Sequence, residues 1–170
     1  MECEVCHSNL VKALASPRLK LLLSTLQSTP PPPSYAALAT IPSSSPTDSP
    51  VPPSSPGPFS FLLFDNVWAT CRPCLSSGEE GRARAFVAAP PLSVVLCSNR
   101  IKSEAAAEEA LVHELVHLFD LKVLGLDFSN CRQLGYSEVR ANREAECRNG
   151  NYGGVFAGFC KNATTSTSCK

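Results

Sequence analysis

The sequence predicts an α+β fold, with N-terminal helices, a small sheet, a long helix that carries a metal-binding motif, and a second helix. Apolar residues recur at helical spacing over 8–27, which predicts the N-terminal helices. Short apolar runs at 59–68 and 92–97 predict strands. Good helix formers over 103–125 and 137–147 predict the two later helices. The predicted sheet therefore lies directly before the helix that bears the motif.

Composition places the chain among single-domain proteins of ordinary size. Its 170 residues suit one domain, and 15 basic residues balance 15 acidic ones. This balance gives no support for binding to nucleic acid or to an anionic membrane. No apolar run approaches the roughly 18–20 residues that a transmembrane helix needs. The N-terminus, MECEVCHSN, shows no cleavable targeting signal, so we expect entry into any oxidising compartment to occur without one.

Four segments are expected along the chain. Residues 1–27 combine cysteines with helical periodicity and are expected to pack on the core, with Pro17 breaking the first helix or beginning a second. Residues 28–58 hold 11 of the 15 prolines, which predicts a disordered, partly polyproline-II linker. We expect a catalytic domain at 59–160 and a polar tail at 161–170.

Nine cysteines are many for an intracellular enzyme of this size, and disulfides are expected. Cys3 and Cys6 form one CxxC pair, and Cys71 and Cys74 form another. Disulfides within or between the pairs are favoured, while a four-cysteine zinc site would need an unusually long separation. Haem attachment at Cys3-x-x-Cys6-His7 is disfavoured because the chain lacks a convincing axial partner. The odd count leaves at least one thiol free, metal-bound or paired outside the chain.

The segment before the long helix is predicted to be extended. Residues 59–68 are aromatic and apolar, and 86–91 lead into a predicted strand at 92–97. Asn99 and Arg100 then turn the chain into the helix. A strand directly before a metal-binding helix is typical of zincin-like peptidases, in which an exposed edge strand receives the substrate as an added strand. The sequence leaves open which strand lies at the edge.

The long helix contains an HExxH motif formed by His113, Glu114 and His117. Histidines four residues apart lie on one face of a helix, where both imidazoles can bind one Zn²⁺. Glu114 lies close enough to reach a water on that ion. The helix is apolar almost all round, so it should be buried, and buried histidines without a metal would leave polar groups unpaired. A zinc site is therefore favoured over a structural histidine pair.

A catalytic zinc site uses three protein ligands and leaves a position for water. Glu138 is the favoured third ligand because it begins the second predicted helix, and the preceding loop is long enough to bring that helix back against the first. Glu144 and Glu146 stay open as alternatives. Asp120 is two turns from His113 and has a short side chain, so we expect it to orient an imidazole. Ligation by Asp120 stays open if the helix breaks there.

These residues predict hydrolysis of a peptide bond. Zinc would lower the pKa of a bound water and polarise the scissile carbonyl, with Glu114 as the general base. Arg140 or Tyr136 could donate a hydrogen bond to the reacting group. For Arg140, a surface ion pair with Glu144 at i, i+4 is the favoured interpretation.

Several motifs together resemble a known family. The order VLCSNRI, HELVHLFD and YSEVRA, with the N-terminal cysteine and leucine pattern, is similar to metalloproteases of the mitochondrial inner membrane and intermembrane space. Those proteins process a subunit of the ATP synthase and help to assemble it. The resemblance covers 3–27 and about 68–152. It implies a zinc peptidase on the intermembrane-space side, with oxidised cysteines, peripheral membrane association and a precursor of an ATP synthase subunit as substrate.

The sequence also departs from that family. The proline-rich linker is absent from the family pattern, Tyr136 replaces a cysteine before SEVRA, and the chain ends sooner after its last cysteine. Three functions therefore stay open. The first is an active zinc endopeptidase. The second is an assembly chaperone or scaffold with a structural zinc site, and the third is a small binding module stabilised by zinc or disulfides.

Overall fold

A computed structural model describes most of the chain outside the proline-rich segment. The described residues are 2–30, 58–64, 67–77, 81–88 and 92–147. Most of the predicted linker and the whole predicted tail lie outside them. Among the described helices, none is both long and apolar enough to cross a membrane.

Two helices form the N-terminal segment, α1 (Glu2–Leu14) and α2 (Pro17–Ser28). The Ser16 hydroxyl caps α2 by accepting a hydrogen bond from the Leu19 backbone N–H at 3.3 Å. Pro17 occupies the first turn of α2, where a missing N–H costs nothing, as the sequence predicted. Both helices bury one apolar face in the main core, with Cys6, Leu10, Ala13, Leu19 and Leu26 fully enclosed.

Within the described residues the sheet has four strands, β1 (Ser60–Phe64), β2 (Val67–Arg72), β3 (Ala85–Ala88) and β4 (Ser93–Cys97). Their spatial order is β1-β2-β4-β3. The central pair, β2 and β4, is parallel, while both outer pairs are antiparallel. The outermost positions of this sheet therefore belong to β1 and β3.

The apolar run at 59–68 forms parts of two strands instead of one. β1 pairs with β2 in antiparallel fashion, with Phe64 opposite Val67. The intervening residues in the sequence are Asp65 and Asn66, types that are depleted in strands and common where a chain reverses. The expectation of extended structure was correct, but the sequence argument missed the reversal.

The helix with the HExxH motif, α3 (Glu104–Lys122), agrees with its predicted start and end signals. Ser103 caps it by accepting a hydrogen bond from the Ala106 backbone N–H at 3.2 Å. Gly125, just beyond the last turn, adopts a φ of 64°, which glycine tolerates without steric cost. The helix is buried on nearly every side because α1, α2, the sheet and the helix that follows it surround it.

The second helix, α4 (Cys131–Asn142), begins seven residues earlier than predicted and continues into a π-helical turn, Arg143–Cys147. The sequence argument made Ser137 the N-cap. In the structure Asn130 is the cap, and its side-chain oxygen accepts from the N–H groups of Arg132 and Gln133. Asparagine caps as well as serine and comes first along the chain, so Ser137 lies inside the helix.

One disulfide joins the helical segment to the sheet, and another links the segment after β2 to β4. Cys6 of α1 is bonded to Cys71 of β2, and Cys74 is bonded to Cys97 at the end of β4. The prediction of a bridge between the two CxxC pairs is confirmed, whereas a bridge within either pair is wrong. Since these sulfurs are used in disulfides, the four-cysteine zinc site and haem attachment are excluded.

The remaining described cysteines agree with the odd total. Cys131 and Cys147 are also disulfide-bonded, and Cys3 is the free thiol within the described part of the chain. Its sulfur lies 3.5 Å from the Ser98 hydroxyl.

Removing the Cys6–Cys71 bridge should destabilise the fold strongly. This disulfide links residues 65 apart, so its loss frees a long loop in the unfolded chain. By the chain-entropy relation, the double change Cys6→Ser and Cys71→Ser should lower the free energy of unfolding by about 4 kcal/mol. Denaturant unfolding measures this effect. Cys3→Ser is the matched control, and equal stability of all the proteins would contradict the prediction.

Candidate metal centre

The two histidines of the motif lie one helical turn apart on α3. Their ring centroids are 4.8 Å apart, and the rings meet at a steep angle. Both imidazoles are largely enclosed by neighbouring elements. The four-residue spacing of the sequence determines this arrangement, because residues at i and i+4 face the same way.

Glu138 of α4 approaches both imidazoles. One carboxylate oxygen lies 3.6 Å from Nε2 of His113, and the other lies 3.5 Å from Nε2 of His117. Donors on a tetrahedral zinc ion with bonds of about 2.0–2.1 Å are separated by about 3.4 Å. Each nitrogen–oxygen distance, measured to a different oxygen of Glu138, is close to that separation, and one ligand atom from each of the three side chains lies within 4.8 Å of the others. The donor set therefore fits zinc.

Ser137 lies next to Glu138 in the sequence and contacts the other nitrogen of the same imidazole. Its hydroxyl shares a hydrogen bond of 2.8 Å with Nδ1 of His117. Phe128 stands edge-on to that imidazole, with 5.8 Å between the ring centroids. These contacts hold the ring so that Nε2 faces the carboxylate of Glu138.

Asp120 makes a contact that differs from the sequence interpretation. It is fully buried, but its carboxylate accepts a hydrogen bond from Arg140 instead of holding an imidazole. The hydroxyl of Ser137 has the imidazole-orienting position expected for Asp120. Tyr136 is exposed, and the Arg140 guanidinium lies over its ring. Burial and then the nearby Arg143 charge lower the Arg140 pKa, and the charge of Glu144, the partner expected for Arg140, opposes this shift only in part.

Glu114 lies beside the histidines and beneath the edge strand β3. Only 7% of the residue is exposed, and the Val87 backbone N–H donates a hydrogen bond to its carboxylate. Burial raises the Glu114 pKa to about 7, against an opposing effect of the His113 charge. A carboxyl with a pKa near neutrality is suited to taking and returning a proton.

Two other members of the group, His117 and Glu138, are shifted toward the forms that bind a cation, whereas His113 is shifted the other way. Burial and the nearby His113 charge lower the His117 pKa to about 4, which keeps that imidazole neutral. A hydrogen bond from His113 lowers the Glu138 pKa despite partial burial. Burial lowers the His113 pKa, but Glu138 and Glu114 outweigh this effect, so the net shift is upward. Metal binding would then release a proton from His113.

The raised Glu114 pKa predicts a pH effect on the metal-free protein. Above the ordinary pKa of a glutamate, Glu114 loses its proton in the unfolded chain but keeps it in the folded protein. The free energy of unfolding therefore falls as the pH rises toward 7. Glu114→Gln removes that cost. With the metal removed by a chelator, we expect the free energy of unfolding of the variant to exceed that of the unchanged protein by up to about 3 kcal/mol at pH 8. At pH 4 we expect no difference.

Denaturant unfolding of both proteins at pH 4, 6 and 8 measures this difference. Glu108→Gln, on the same helix but outside the metal group, serves as the control. A constant difference between Glu114→Gln and the unchanged protein across this range would contradict the prediction.

The alternative ligands Glu144 and Glu146 both form ion pairs. Glu144 accepts from Arg143 at 3.0 Å, while Glu146 accepts from Arg84 at 3.1 Å. Arg84 also binds Glu109 of α3 at 3.1 Å, so it ties the start of β3 to both helices. The sequence gives no local sign of this role of Arg84, because the ion pair with Glu146 joins residues 62 positions apart.

Two further contributors were missed from the sequence. Ser137 was read as a cap, although its place beside Glu138 was a usable signal that it would lie near the metal group. Val87 acts through its backbone N–H. The type of side chain at a position gives no sign of such a contact.

Comparisons with known proteins agree with this geometry. The sequence model of the Peptidase M76 family matches residues 63–169. The mitochondrial inner membrane protease ATP23 of Candida glabrata is 42% identical over 88 residues, which cover 51% of this chain and 36% of that protein. The ATP23 proteins of Eremothecium gossypii and Schizosaccharomyces pombe are 40% and 34% identical over 88 and 80 residues, covering 51% and 46% of this chain.

The matched segments correspond to between 33% and 40% of the length of these three relatives. No solved structure matches the chain.

Proposed function

Because this chain belongs to the Peptidase M76 family, we propose that it is a zinc-dependent endopeptidase whose site lies where α3, α4 and β3 meet. The observation that carries the proposal is the convergence of Glu138 on the Nε2 atoms of His113 and His117, with Glu114 buried beside them. The peptidase proposal accounts for both the donor set and the adjacent carboxyl with a pKa of about 7.

The metal ligands in this proposal are His113, His117 and Glu138, which leave a fourth position for water. A bound Zn²⁺ would lower the pKa of that water and stabilise negative charge on the carbonyl oxygen of the substrate. Ser137 favours the His117 tautomer that binds through Nε2, because the Nδ1–H of that tautomer donates a hydrogen bond to the hydroxyl oxygen of Ser137.

Glu114 is the proposed general base. Its carboxylate accepts a proton from the attacking water and returns it to the leaving amine, so one residue serves both steps. Burial favours this exchange because it brings the carboxyl pKa to about 7. The hydrogen bond from Val87 points the carboxylate into the site and keeps it from rotating away.

The substrate backbone is proposed to lie along β3, as in zincin-like peptidases. β3 is at one edge of the sheet, and β4 pairs with its inner side. Because the Val87 N–H reaches Glu114, the outer side of β3 faces the catalytic carboxylate. A peptide added as another strand would receive backbone hydrogen bonds there and place its scissile bond beside the metal group.

We further propose a mitochondrial setting. The matched relatives are named mitochondrial inner membrane proteases. The disulfides Cys6–Cys71 and Cys74–Cys97 suit an oxidising compartment, which supports the intermembrane-space side of that membrane with peripheral association. The proposed substrate is a precursor of an ATP synthase subunit, whose assembly the protein would also assist.

Metal removal tests the proposal. The purified chain should contain about one zinc ion and should cleave quenched-fluorescence peptides. Chelation should abolish cleavage because the fourth position and its water are lost, and added zinc should restore it. Metal content is measured by elemental analysis in parallel with activity. Zinc-bound, folded protein that cleaves neither a peptide library nor the subunit precursor would instead indicate a non-proteolytic scaffold with a structural zinc site.

A further inference from the structure

Two polar pairs join α4 to α3 on either side of Glu138. One turn of α4 presents the Ser137 hydroxyl to His117 at 2.8 Å. Two residues after Glu138, the Arg140 guanidinium donates to the carboxylate of Asp120. Asp120 and His117 are three residues apart and therefore neighbours on α3. The carboxylate of Glu138 is thus bracketed by contacts to the same face of the HExxH helix.

In the Asp120–Arg140 pair, the aspartate is the buried partner. Asp120 is fully enclosed, and its second carboxylate oxygen has no hydrogen-bond partner within the described part of the chain. A carboxylate in such a place is costly without its cation, because burial removes its solvation. Arg140 therefore cannot leave Asp120 cheaply, and the pair resists separation of the two helices.

Aromatic rings fix the direction of the guanidinium. Arg140 lies over the ring of Phe119 at 5.6 Å and over that of Tyr136 at 5.8 Å. A planar guanidinium stacks on such rings while donating in its own plane. Because Phe119 lies on α3, its contact with Arg140 bears on the position of α4 along α3 as well as on the distance between the two helices.

The position of Glu138 depends on where α4 lies along α3. Its two oxygens stand 3.6 Å and 3.5 Å from nitrogens on successive turns of α3. A slide of α4 by one residue would shift Glu138 by about 1.5 Å. Metal–ligand distances tolerate only about 0.2 Å, so such a slide would remove the carboxylate from the shared site.

We propose that Asp120 and Arg140 are a positioning pair that sets the register of α4 on α3 and thereby brings Glu138 to the two histidines. The inference deepens the proposed function and rests on Glu138 as a zinc ligand. The pair acts before substrate arrives, so its effect belongs to the free protein. If Arg140 only donated a hydrogen bond to the reacting carbonyl of the substrate, its replacement would leave zinc binding to the free protein unchanged.

Zinc affinity of the substrate-free full chain tests this role, measured by competition with a chromophoric chelator. Asp120→Asn and Arg140→Met should each weaken zinc binding by about 10- to 100-fold, as expected for residues that orient ligands. The two changes combined should cost little more than either alone, because both break one pair. Arg140→Lys keeps the charge and should retain part of the affinity that Arg140→Met loses.

Arg143→Gln is the matched control. It breaks an ion pair with Glu144 just beyond α4, away from Glu138, and should leave zinc affinity unchanged. Unfolding in denaturant is followed for every variant. If Asp120→Asn or Arg140→Met fails to fold, two variants keep the test decisive: Arg140→Lys keeps a cation beside Asp120, and the double variant leaves no unpaired buried charge.

Unchanged zinc affinity in the folded Asp120 and Arg140 variants would overturn the inference, even if their stability fell, because the pair would then be structural only. Glu138→Gln distinguishes this failure from failure of the proposed site. A loss of affinity in Glu138→Gln alone overturns the positioning role and leaves the ligand set intact. No loss in Glu138→Gln overturns the ligand set on which the inference rests.

Discussion

Glu114→Gln should lower kcat for peptide hydrolysis by at least about 100-fold, within the range that general-base catalysis supplies. The amide keeps the shape of the side chain but cannot accept a proton from the attacking water. The hydrogen bond from Val87 can still be accepted by the amide oxygen, so the local structure should persist. His113, His117 and Glu138 are untouched, and zinc should stay bound.

Steady-state cleavage of a peptide substrate measures the loss, with zinc content determined on the same samples. Glu108→Gln, six residues earlier on α3, makes the same change from carboxylate to amide away from the metal ligands. This variant should cleave the peptide at the normal rate. Cleavage by a zinc-loaded Glu114→Gln protein at the unmodified rate would rule out Glu114 as the base. Loss of both zinc and activity would show that the variant perturbs the metal group itself.

Glu138→Gln should weaken zinc binding by more than about 100-fold, which exceeds the loss typical of residues that only orient ligands. The amide is neutral and a poorer ligand, so the ion would be held by His113 and His117 alone. Catalysis should fall with occupancy, and saturating zinc should recover part of it.

Glu144→Gln and Glu146→Gln are the matched comparisons, because the sequence left both residues open as third ligands. Each makes an ion pair outside the group that holds the histidines, so each variant should bind zinc nearly as tightly as the unmodified chain. A greater loss in either comparison than in Glu138→Gln would reassign the third ligand. Equilibrium competition with a chelator of known affinity decides among the three.

Local sequence determined much of the site. The HExxH spacing required His113 and His117 to share a helical face, because the period of an α-helix fixes residues at i and i+4. Ser103 and Gly125 marked the limits of that helix through capping chemistry that acts within a few residues. Glu138 was favoured as the third ligand by loop length, and the structure places it against both imidazoles.

Cysteine spacing was less informative. The sequence predicted disulfides and at least one thiol that is free, metal-bound or paired outside the chain, but it allowed bridges within or between the CxxC pairs. The pairing of Cys6 with Cys71 follows from the docking of α1 against β2, which no spacing rule contains. The helix start at Cys131 was likewise missed because two good caps, Asn130 and Ser137, competed along one stretch.

The sequence alone therefore determined the two imidazoles, the adjacent carboxyl and the helix that carries them, since these depend on helical geometry over a few residues. Only the tertiary structure decided that Ser137 orients His117, that Asp120 pairs with Arg140 and that Val87 reaches Glu114. Those contacts join residues 20 or more positions apart. Their formation depends on the angle and register at which packed elements meet, and local spacing does not encode either quantity.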